Sequence, residues 1–113
     1  MFNGVTMTAA TARVVRAFLE DPAADRYGFD LMRATGLASG SLYPILARLD
    51  RAGWIVGHRE DIDPAQAGRS PRRYYTMPAH SAERARIALA EMSALFAPPP
   101  RPVHGLRWVG GQA

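Results

Sequence analysis

The chain has 113 residues, of which 48% are hydrophobic and 21% charged, and its net charge is +4. This size and composition predict one globular domain with a small core, which makes association with a second chain a reasonable expectation. The absence of cysteine excludes disulfides, cysteine zinc sites and thiol nucleophiles. With no apolar run of about 20 residues and no signal-peptide pattern, we expect a cytoplasmic protein that does not enter membranes.

The first part of the chain predicts two helices. One covers residues 8–20, with Thr8 as its N-cap and apolar residues at i,i+4 spacing. It ends before Pro22, because a residue that precedes proline is pushed out of the α region. The other begins with Asp25 as its N-cap and ends at Gly36, since glycine favours the position after a helix.

The third predicted helix has the most regular apolar stripe in the chain. It spans residues 39–52, with Ser39 as its N-cap and Gly53 just beyond its end. Apolar residues recur at i, i+3, i+4 and i+7, which predicts that one face lies in the core. These residues are Leu42, Ile45, Leu46 and Leu49.

The second half of the chain predicts a β-hairpin and a last helix. The strands cover residues 54–59 and 72–77, and a long polar loop joins them. Two short strands do not form an independent sheet, so the hairpin must pack on the helices. The last helix covers residues 81–97. We expect residues 98–113 to be a flexible tail, because they open with proline and close with glycine.

Three short helices followed by a hairpin form the winged helix-turn-helix arrangement. We therefore expect an α+β, mainly α, fold. A winged helix-turn-helix domain would cover residues 8–77, and a C-terminal dimerisation helix would cover residues 79–97. In such a domain the third helix fits a DNA major groove, and the loop of the hairpin, called the wing, lies beside it.

Three segments of the chain resemble those of PadR-type transcriptional regulators, in order and in spacing: PAADRYGFDLM, SGSLYPILARLDRAGWI and GRSPRRYYTM. The resemblance covers roughly residues 12–96. It implies a DNA-binding repressor that is dimeric through its last helix and often its first. In many members a small apolar or phenolic compound is the effector. The chain departs from the family after the wing, where Thr76-Met77-Pro78 replaces the usual Leu-Thr, and its single C-terminal helix resembles the short-form members.

The polar face of the third helix supplies candidate DNA contacts. In its first turns, free N–H groups bind phosphate and side chains reach base edges. The candidates there are Ser39, Ser41 and Tyr43, and Arg48 further along would meet the DNA backbone. The structural alternatives are that Ser39 is only a helix cap and that Tyr43 is partly buried with its hydroxyl in water.

The wing supplies three more candidates, because no acid interrupts residues 64–77. Arginines near a loop tip indicate phosphate or minor-groove contacts, and the alternative is a solvated hairpin. The three are Arg69, Arg72 and Arg73. If both Arg72 and Arg73 lie in the strand, their side chains point to opposite faces, and at most one of them is expected to face DNA directly. The acids of the other limb would repel phosphate, so we expect that limb to turn away: Glu60, Asp61 and Asp63.

The last helix carries a heptad-like apolar seam with spacings of 4, 3 and 4 residues: Ala85, Leu89, Met92 and Phe96. Such a seam predicts a homodimer, and packing within the chain is the alternative. The third helix of each chain would be its recognition helix, the one that enters the major groove. A two-fold dimer would place the two recognition helices about one DNA turn apart on a near-palindromic operator. Met92, Phe96 and Trp54 are candidate liners of an apolar cavity in the dimer that would hold an effector, or they are plain core.

Catalysis has little support in the sequence. The three histidines, at 58, 80 and 104, stand apart without metal-ligand spacing, and no phosphate-binding glycine loop or nucleophile elbow occurs. We expect no enzyme, no metal and no cofactor. The alternative to a DNA-binding regulator is a winged-helix module that contacts protein without specific DNA binding, and the three wing arginines are the feature that discriminates.

The position of the charge favours a nucleic-acid partner more than its total does. Residues 37–77 carry six arginines against four acids, so half of the net +4 lies in the third helix and the wing. The chain has no lysine, for which a G/C-rich genome is a sufficient cause. Selection for arginine forks that bind phosphate and guanine edges is the other explanation.

Overall fold

The computed structural model describes residues 5–96, 98 and 99. In chain order its elements are α1 (Ala9–Leu19), β1 (Arg26–Tyr27), α2 (Gly28–Thr35), α3 (Ser39–Arg51), β2 (Val56–Arg59), α4 (Pro64–Ala67), β3 (Arg73–Thr76) and α5 (Ala79–Phe96). Apart from residues 98 and 99, the predicted tail lies outside the described residues. None of the helices in the described part of the chain is long and apolar enough to cross a membrane.

The predicted α+β, mainly α, winged-helix fold is confirmed. Helices α1, α2 and α3 pack together, and the three strands form an antiparallel sheet of strand order β1-β3-β2. The sheet has one strand more than the predicted hairpin. Tyr27 of β1 lies opposite Tyr74 of β3, which in turn lies opposite His58 of β2.

The predicted start of the second helix was wrong. Asp25 does not cap it, because Arg26 and Tyr27 are extended and pair with β3. The helix begins at Gly28, after Tyr27, whose backbone N–H donates to the Asp30 carboxylate at 3.2 Å. A strand of two residues is too short to show an alternating pattern in the sequence, so only its partner reveals it.

The ends of α3 agree in part with the prediction. Ala38, and not Ser39, takes the N-cap position, and its carbonyl accepts from the N–H groups of Ser41 and Leu42 at 3.0 and 2.9 Å. At the other end Gly53 has φ +81°. The backbone N–H of Gly53 donates to the carbonyl of Asp50 at 3.0 Å, and that of Trp54 donates to the carbonyl of Leu49 at 2.9 Å. This pair of hydrogen bonds is the Schellman arrangement, which favours glycine at this position.

The core lies between the helices and the inner face of the sheet. All four apolar residues predicted for α3 are buried, together with Phe18 of α1 and Leu31 of α2. Trp54 is only 1% exposed, so it belongs to this core and does not line an effector cavity. Of the two interpretations of Trp54, cavity liner and plain core, the first is thereby corrected.

The first half of α5 also belongs to the core. The Ser81 hydroxyl donates to the carbonyl oxygen of Gly53 at 3.0 Å and ties the start of α5 to the end of α3. Ala82 and Ala88 are buried, and Ala85 is completely buried. Ala85 therefore packs within its own chain and is not a dimer contact, which corrects that part of the predicted seam.

The wing loop contains a short helix that was not predicted. The Asp63 carboxylate accepts from the N–H of Ala65 at 3.0 Å, Pro64 follows the cap, and Gly68 ends the helix with φ +72°. Aspartate, proline and glycine in these positions are the usual helix boundaries. Four residues show no apolar periodicity, and for that reason the segment was predicted as loop.

Candidate nucleic-acid interface

The polar face of α3 is open to solvent at every predicted position. Ser39 and Ser41 lie in its first turn, Tyr43 in its second and Arg48 near its end, and all four are exposed. From Tyr43 to Arg48 the helix rises by about 7 Å, at about 1.5 Å per residue. The first three candidates therefore share one end of α3, while Arg48 lies apart from them.

Tyr43 is held against the start of α2. A side chain at Gly28 would overlap the Tyr43 hydroxyl and would lie 2.8 Å from its Cζ atom. The absence of that side chain lets the end of the tyrosine ring rest on α2, while 44% of the residue stays exposed. Tyr43 therefore combines an exposed surface with a hydroxyl end that rests against the start of α2.

Two wing arginines reach towards the helices by different contacts. The Arg72 guanidinium lies 5.9 Å from the centre of the Phe29 ring in α2, which is cation–π distance. The Arg73 guanidinium lies 5.7 Å from the Tyr75 ring, and its Nη2 is 3.8 Å from Asp50 Oδ2 in α3. Both arginines are exposed, so these contacts leave them within reach of an anion.

The structure brings Tyr43, Arg72 and Arg73 together around one groove. The groove has a volume of about 320 Å³ and lies between α2, α3 and the wing, and its other liners are Tyr27, Gly28, Phe29 and Met32. The expectation that at most one of the two arginines faces DNA directly required both of them to lie in the strand. Arg72 precedes β3, so the alternation of side chains along a strand does not apply to it.

Arg69 does not join this groove. Its Nη1 and Nη2 atoms donate to the two carboxylate oxygens of Glu60, at 2.6 and 3.3 Å. Glu60 belongs to the acidic limb that was expected to turn away from phosphate. This residue lies inside the wing, where it also accepts from the backbone N–H of Arg72 at 2.9 Å and from the Tyr27 hydroxyl at 3.0 Å.

A row of rings connects the wing to α2. His58 stacks on Tyr74 with centroids 4.9 Å apart, Tyr74 lies 5.6 Å from Tyr27, and Tyr27 stacks on Phe29 at 5.8 Å. Phe29 was not among the predicted site residues, although it directly follows Tyr27 and Gly28 in the first segment that carries the family resemblance. The role of Glu60 was not predicted either, because nothing in the sequence distinguishes it from Asp61 and Asp63.

The interactions around Glu60 lower the pKa of its carboxyl from 4.5 to about 2. The largest cause is the hydrogen bond from Arg69, and the next is the backbone hydrogen bond from Arg72. The hydrogen bond between Arg69 and Glu60 also raises the pKa of Arg69. The hydrogen bond between the Tyr27 hydroxyl and Glu60 raises the pKa of Tyr27. The folded wing therefore favours the ionised form of Glu60.

This shift predicts an acid-dependent loss of stability. A carboxyl with a lowered folded-state pKa stabilises the fold fully above its unfolded pKa, and the contribution disappears as the pH falls from about 4.5 to about 2. The difference in free energy of unfolding between the parent chain and Glu60→Gln should be constant above about pH 5 and should shrink below it. Urea unfolding at several pH values measures this difference, and a difference that does not change with pH would contradict it.

The contact between Gly28 and Tyr43 gives a second prediction. Gly28→Ala should displace the tyrosine ring and lower the free energy of unfolding by about 1 kcal/mol, the lower end of the range for overpacking, because an exposed ring has room to move. Gly40→Ala is the matched control. A side chain at Gly40 meets nothing within 4 Å, and alanine should stabilise α3 by about 0.5–1 kcal/mol. Chemical denaturation gives both values, and equal effects of the two changes would refute the expectation.

The second half of α5 is much less buried than the first. Leu89 and Met92 are half-buried, while Leu95 and Phe96 are 82% and 76% exposed. A groove of about 680 Å³ lies between this part of α5 and α1. Its liners combine apolar groups with two cations: Ala9, Ala12, Arg13, Arg16, Leu89, Ala90, Met92, Ser93 and Phe96.

The described residues include no group of three or more histidine, aspartate or glutamate side chains placed to hold a metal ion. Asp61 and Asp63 lie exposed in the wing, where Asp63 caps α4. The geometry that the predicted residues do share is a cationic groove beside the polar end of a helix. Such a surface suits a polyanion with a grooved shape.

Two solved structures are similar to this chain in fold. One is the smu.1704 protein of Streptococcus mutans UA159, with a TM-score of 0.59 and 21% identity over 77% of this chain and 78% of the other. The other is described as a Streptococcus transcriptional regulator, with a TM-score of 0.55 and 18% identity over 80% of this chain and 92% of the other. No protein-family model matches the chain, and no curated protein matches it. At these identities the comparisons show the fold alone, which is that of a protein described as a transcriptional regulator.

Proposed function

We propose that this chain is a DNA-binding transcriptional regulator of PadR type, which acts as a dimeric repressor on a near-palindromic operator. The observation that carries the proposal is the groove where Tyr43 of α3 meets Arg72 and Arg73 of the wing. The fold shared with a Streptococcus protein described as a transcriptional regulator supports it.

In this proposal the first turns of α3 enter the major groove of DNA. Ser39 and Ser41 would reach base edges or phosphates, and Tyr43 would lie at the edge of the groove. Arg48 would contact the DNA backbone further along. Arg72 and Arg73 would bind phosphates beside the recognition helix, because guanidinium groups match phosphate geometry with two parallel hydrogen bonds.

The dimer contact would use the exposed half of α5. Leu89, Met92 and Phe96 remain the candidates, and the neighbouring Leu95 adds an apolar side chain that is 82% exposed. An apolar surface of this kind is typical of a protein contact. A two-fold dimer would present two recognition helices to a near-palindromic site, and repression would follow from occupying an operator that overlaps a promoter.

The groove between α1 and α5 is the proposed place for the small apolar or phenolic effector that the resemblance implies. Met92 and Phe96, two of the three residues predicted to line a cavity of the dimer, also line this groove within one chain. An effector there would change DNA binding by favouring one dimer geometry over another.

An electrophoretic mobility shift with the DNA upstream of the chain's own coding sequence tests the proposal. At low salt the chain should shift this duplex, and at moderate salt it should prefer it over a duplex of equal length from inside a gene. Absence of a shift at low salt, with folded dimers present, would overturn the proposal.

One observation favours the alternative, a winged-helix module that contacts protein. Two of the three wing arginines already have acidic partners within the chain, Arg69 with Glu60 and Arg73 with Asp50. A protein-binding module needs no free phosphate-binding cations. The salt dependence of DNA binding separates the two functions, since it counts the cations that meet phosphate.

A further inference from the structure

Glu60 joins three parts of the wing region through one carboxylate. Its Oε1 accepts from the backbone N–H of Arg72 at the start of β3, and its Oε2 accepts from the hydroxyl of Tyr27 in β1. Arg69, on the far limb of the loop, binds both oxygens. The backbone N–H of Glu60 also donates to the carbonyl of Arg72 at 2.9 Å, so this pair closes the wing.

The wing arginines differ in how far their charge is already compensated. The Arg69 side chain is 35% exposed, donates twice to Glu60, and donates to the carbonyl of Ser70 at 3.2 Å. The Arg72 side chain is exposed and has no ion pair among the described residues, only the face of the Phe29 ring. A phosphate would therefore compete with a short bidentate carboxylate for Arg69, but with no carboxylate of the described residues for Arg72.

The same carboxylate sets the position of Arg72. It binds the backbone N–H of Arg72 directly, and it binds Tyr27, whose ring stacks on Phe29. The Arg72 guanidinium lies over that same Phe29 ring. Both the backbone of Arg72 and the surface on which its side chain rests are thus connected to Glu60.

We propose that Glu60 is a positioning residue for DNA binding, and that Arg69 is its internal partner instead of a phosphate contact. Glu60 holds the wing closed and directs Arg72 into the groove beside α3. The inference rests on the proposed function, and it reassigns one of the arginines that the sequence pattern places on DNA.

The direction in which the removal of Glu60 changes DNA affinity separates a positioning role from simple charge repulsion. An acid near DNA repels phosphate, so its removal should strengthen binding if charge alone matters. If Glu60 positions the wing, its removal should weaken binding although the net charge becomes more positive. Asp61→Ala is the matched control, because Asp61 is the next residue, is exposed, and forms no hydrogen bond or ion pair with any described residue.

The first measurement is affinity for the upstream duplex, with a mixed-sequence duplex as the nonspecific probe. We expect Glu60→Ala to bind the upstream duplex about 10-fold more weakly or worse, the size of one charge-assisted hydrogen bond. Glu60→Gln, which keeps an acceptor, should be intermediate, and Asp61→Ala should bind no more weakly than the parent chain. Tighter binding by both Glu60 variants would overturn the proposal, and Glu60→Gln provides the answer if Glu60→Ala does not fold.

The second measurement is the salt slope of binding to the mixed-sequence duplex. Arg69→Gln keeps the Glu60 carboxylate with its bonds to the Tyr27 hydroxyl and the Arg72 N–H, so it should leave the slope unchanged. Arg72→Gln should reduce the slope by about 0.9 for each phosphate that the guanidinium neutralises in the parent chain. If Arg69→Gln, which changes the net charge as Arg72→Gln does, reduces the slope equally, then Arg69 binds phosphate and the reassignment is wrong.

A third measurement needs no DNA. Amide hydrogen exchange should show that the Arg72 N–H is protected in the parent chain and in Asp61→Ala, and exposed in Glu60→Ala. Unchanged protection in Glu60→Ala would refute the positioning role. If the parent chain binds no duplex but the exchange result holds, the proposed function fails while the wing closure by Glu60 stands.

Discussion

Replacement of Phe18 by alanine is expected to lower the free energy of unfolding by about 3–5 kcal/mol, the usual cost of removing a buried aromatic ring. Phe18 is completely buried in the middle of the core, where α1 contacts α2 and α3. A domain of this size is stabilised by only about 5–15 kcal/mol, so the variant should be partly unfolded at moderate temperature. Urea unfolding followed by circular dichroism measures the decrease.

Phe96→Ala is the matched control, because it removes the same atoms from a residue that is 76% exposed. At a protein concentration low enough to give monomers, its free energy of unfolding should change by no more than about 0.5 kcal/mol. If the proposed dimer forms, the same variant should weaken it, which analytical ultracentrifugation detects. Equal destabilisation of the monomer by both replacements would mean that Phe96 is buried in solution.

Replacement of both Arg72 and Arg73 by alanine should weaken DNA binding about 100-fold or more at low salt. A hydrogen bond between charged groups contributes about 1.5–3 kcal/mol, or about one to two powers of ten each. The two arginines lie at the groove beside α3, so each is placed to bind a phosphate. The slope of log affinity against log salt should fall by about 0.9 for every phosphate that the two guanidinium groups neutralise.

The control for this pair is the replacement of Arg84 and Arg86, which changes the net charge equally on α5. Both are exposed, and Arg86 forms a 3.7 Å ion pair with Glu83. This variant should keep most of the affinity and the slope of the parent chain. An unchanged slope in the Arg72 and Arg73 variant would favour the protein-interaction module over the regulator.

The helical part of the fold was predictable because its signals are local. The stripe from Leu42 to Leu49 repeats with the helical period, and its burial follows from that period alone. Gly53 ends α3 because a left-handed residue is needed after the last turn, and glycine adopts that conformation without steric cost. Signals of this kind need only neighbours within one or two turns.

The wing was predicted as a place but not as a set of contacts. The strands β2 and β3 were expected, but β1 was not. Its two residues pair with residues of β3 that lie about 50 positions later in the chain, so the strand exists only once the chain has folded. The pairing of Arg69 with Glu60 crosses 9 positions, and that of Tyr27 with Glu60 crosses 33. No periodicity connects residues at such spacings.

The charged side chains of the wing show most clearly what the sequence alone does not determine. The sequence alone determined that residues 64–77 hold three arginines and no acid, and that this limb of the hairpin is therefore basic. Only the tertiary structure decided which of these charges are compensated, since an ion pair depends on distance in space. Glu60 and Arg69 are 2.6 Å apart, whereas the Arg72 guanidinium lies over a ring. Local signals thus determined α1 and α3 with its buried stripe, while the start of α2, the closure of the wing and the compensation of its charges depended on contacts made after folding.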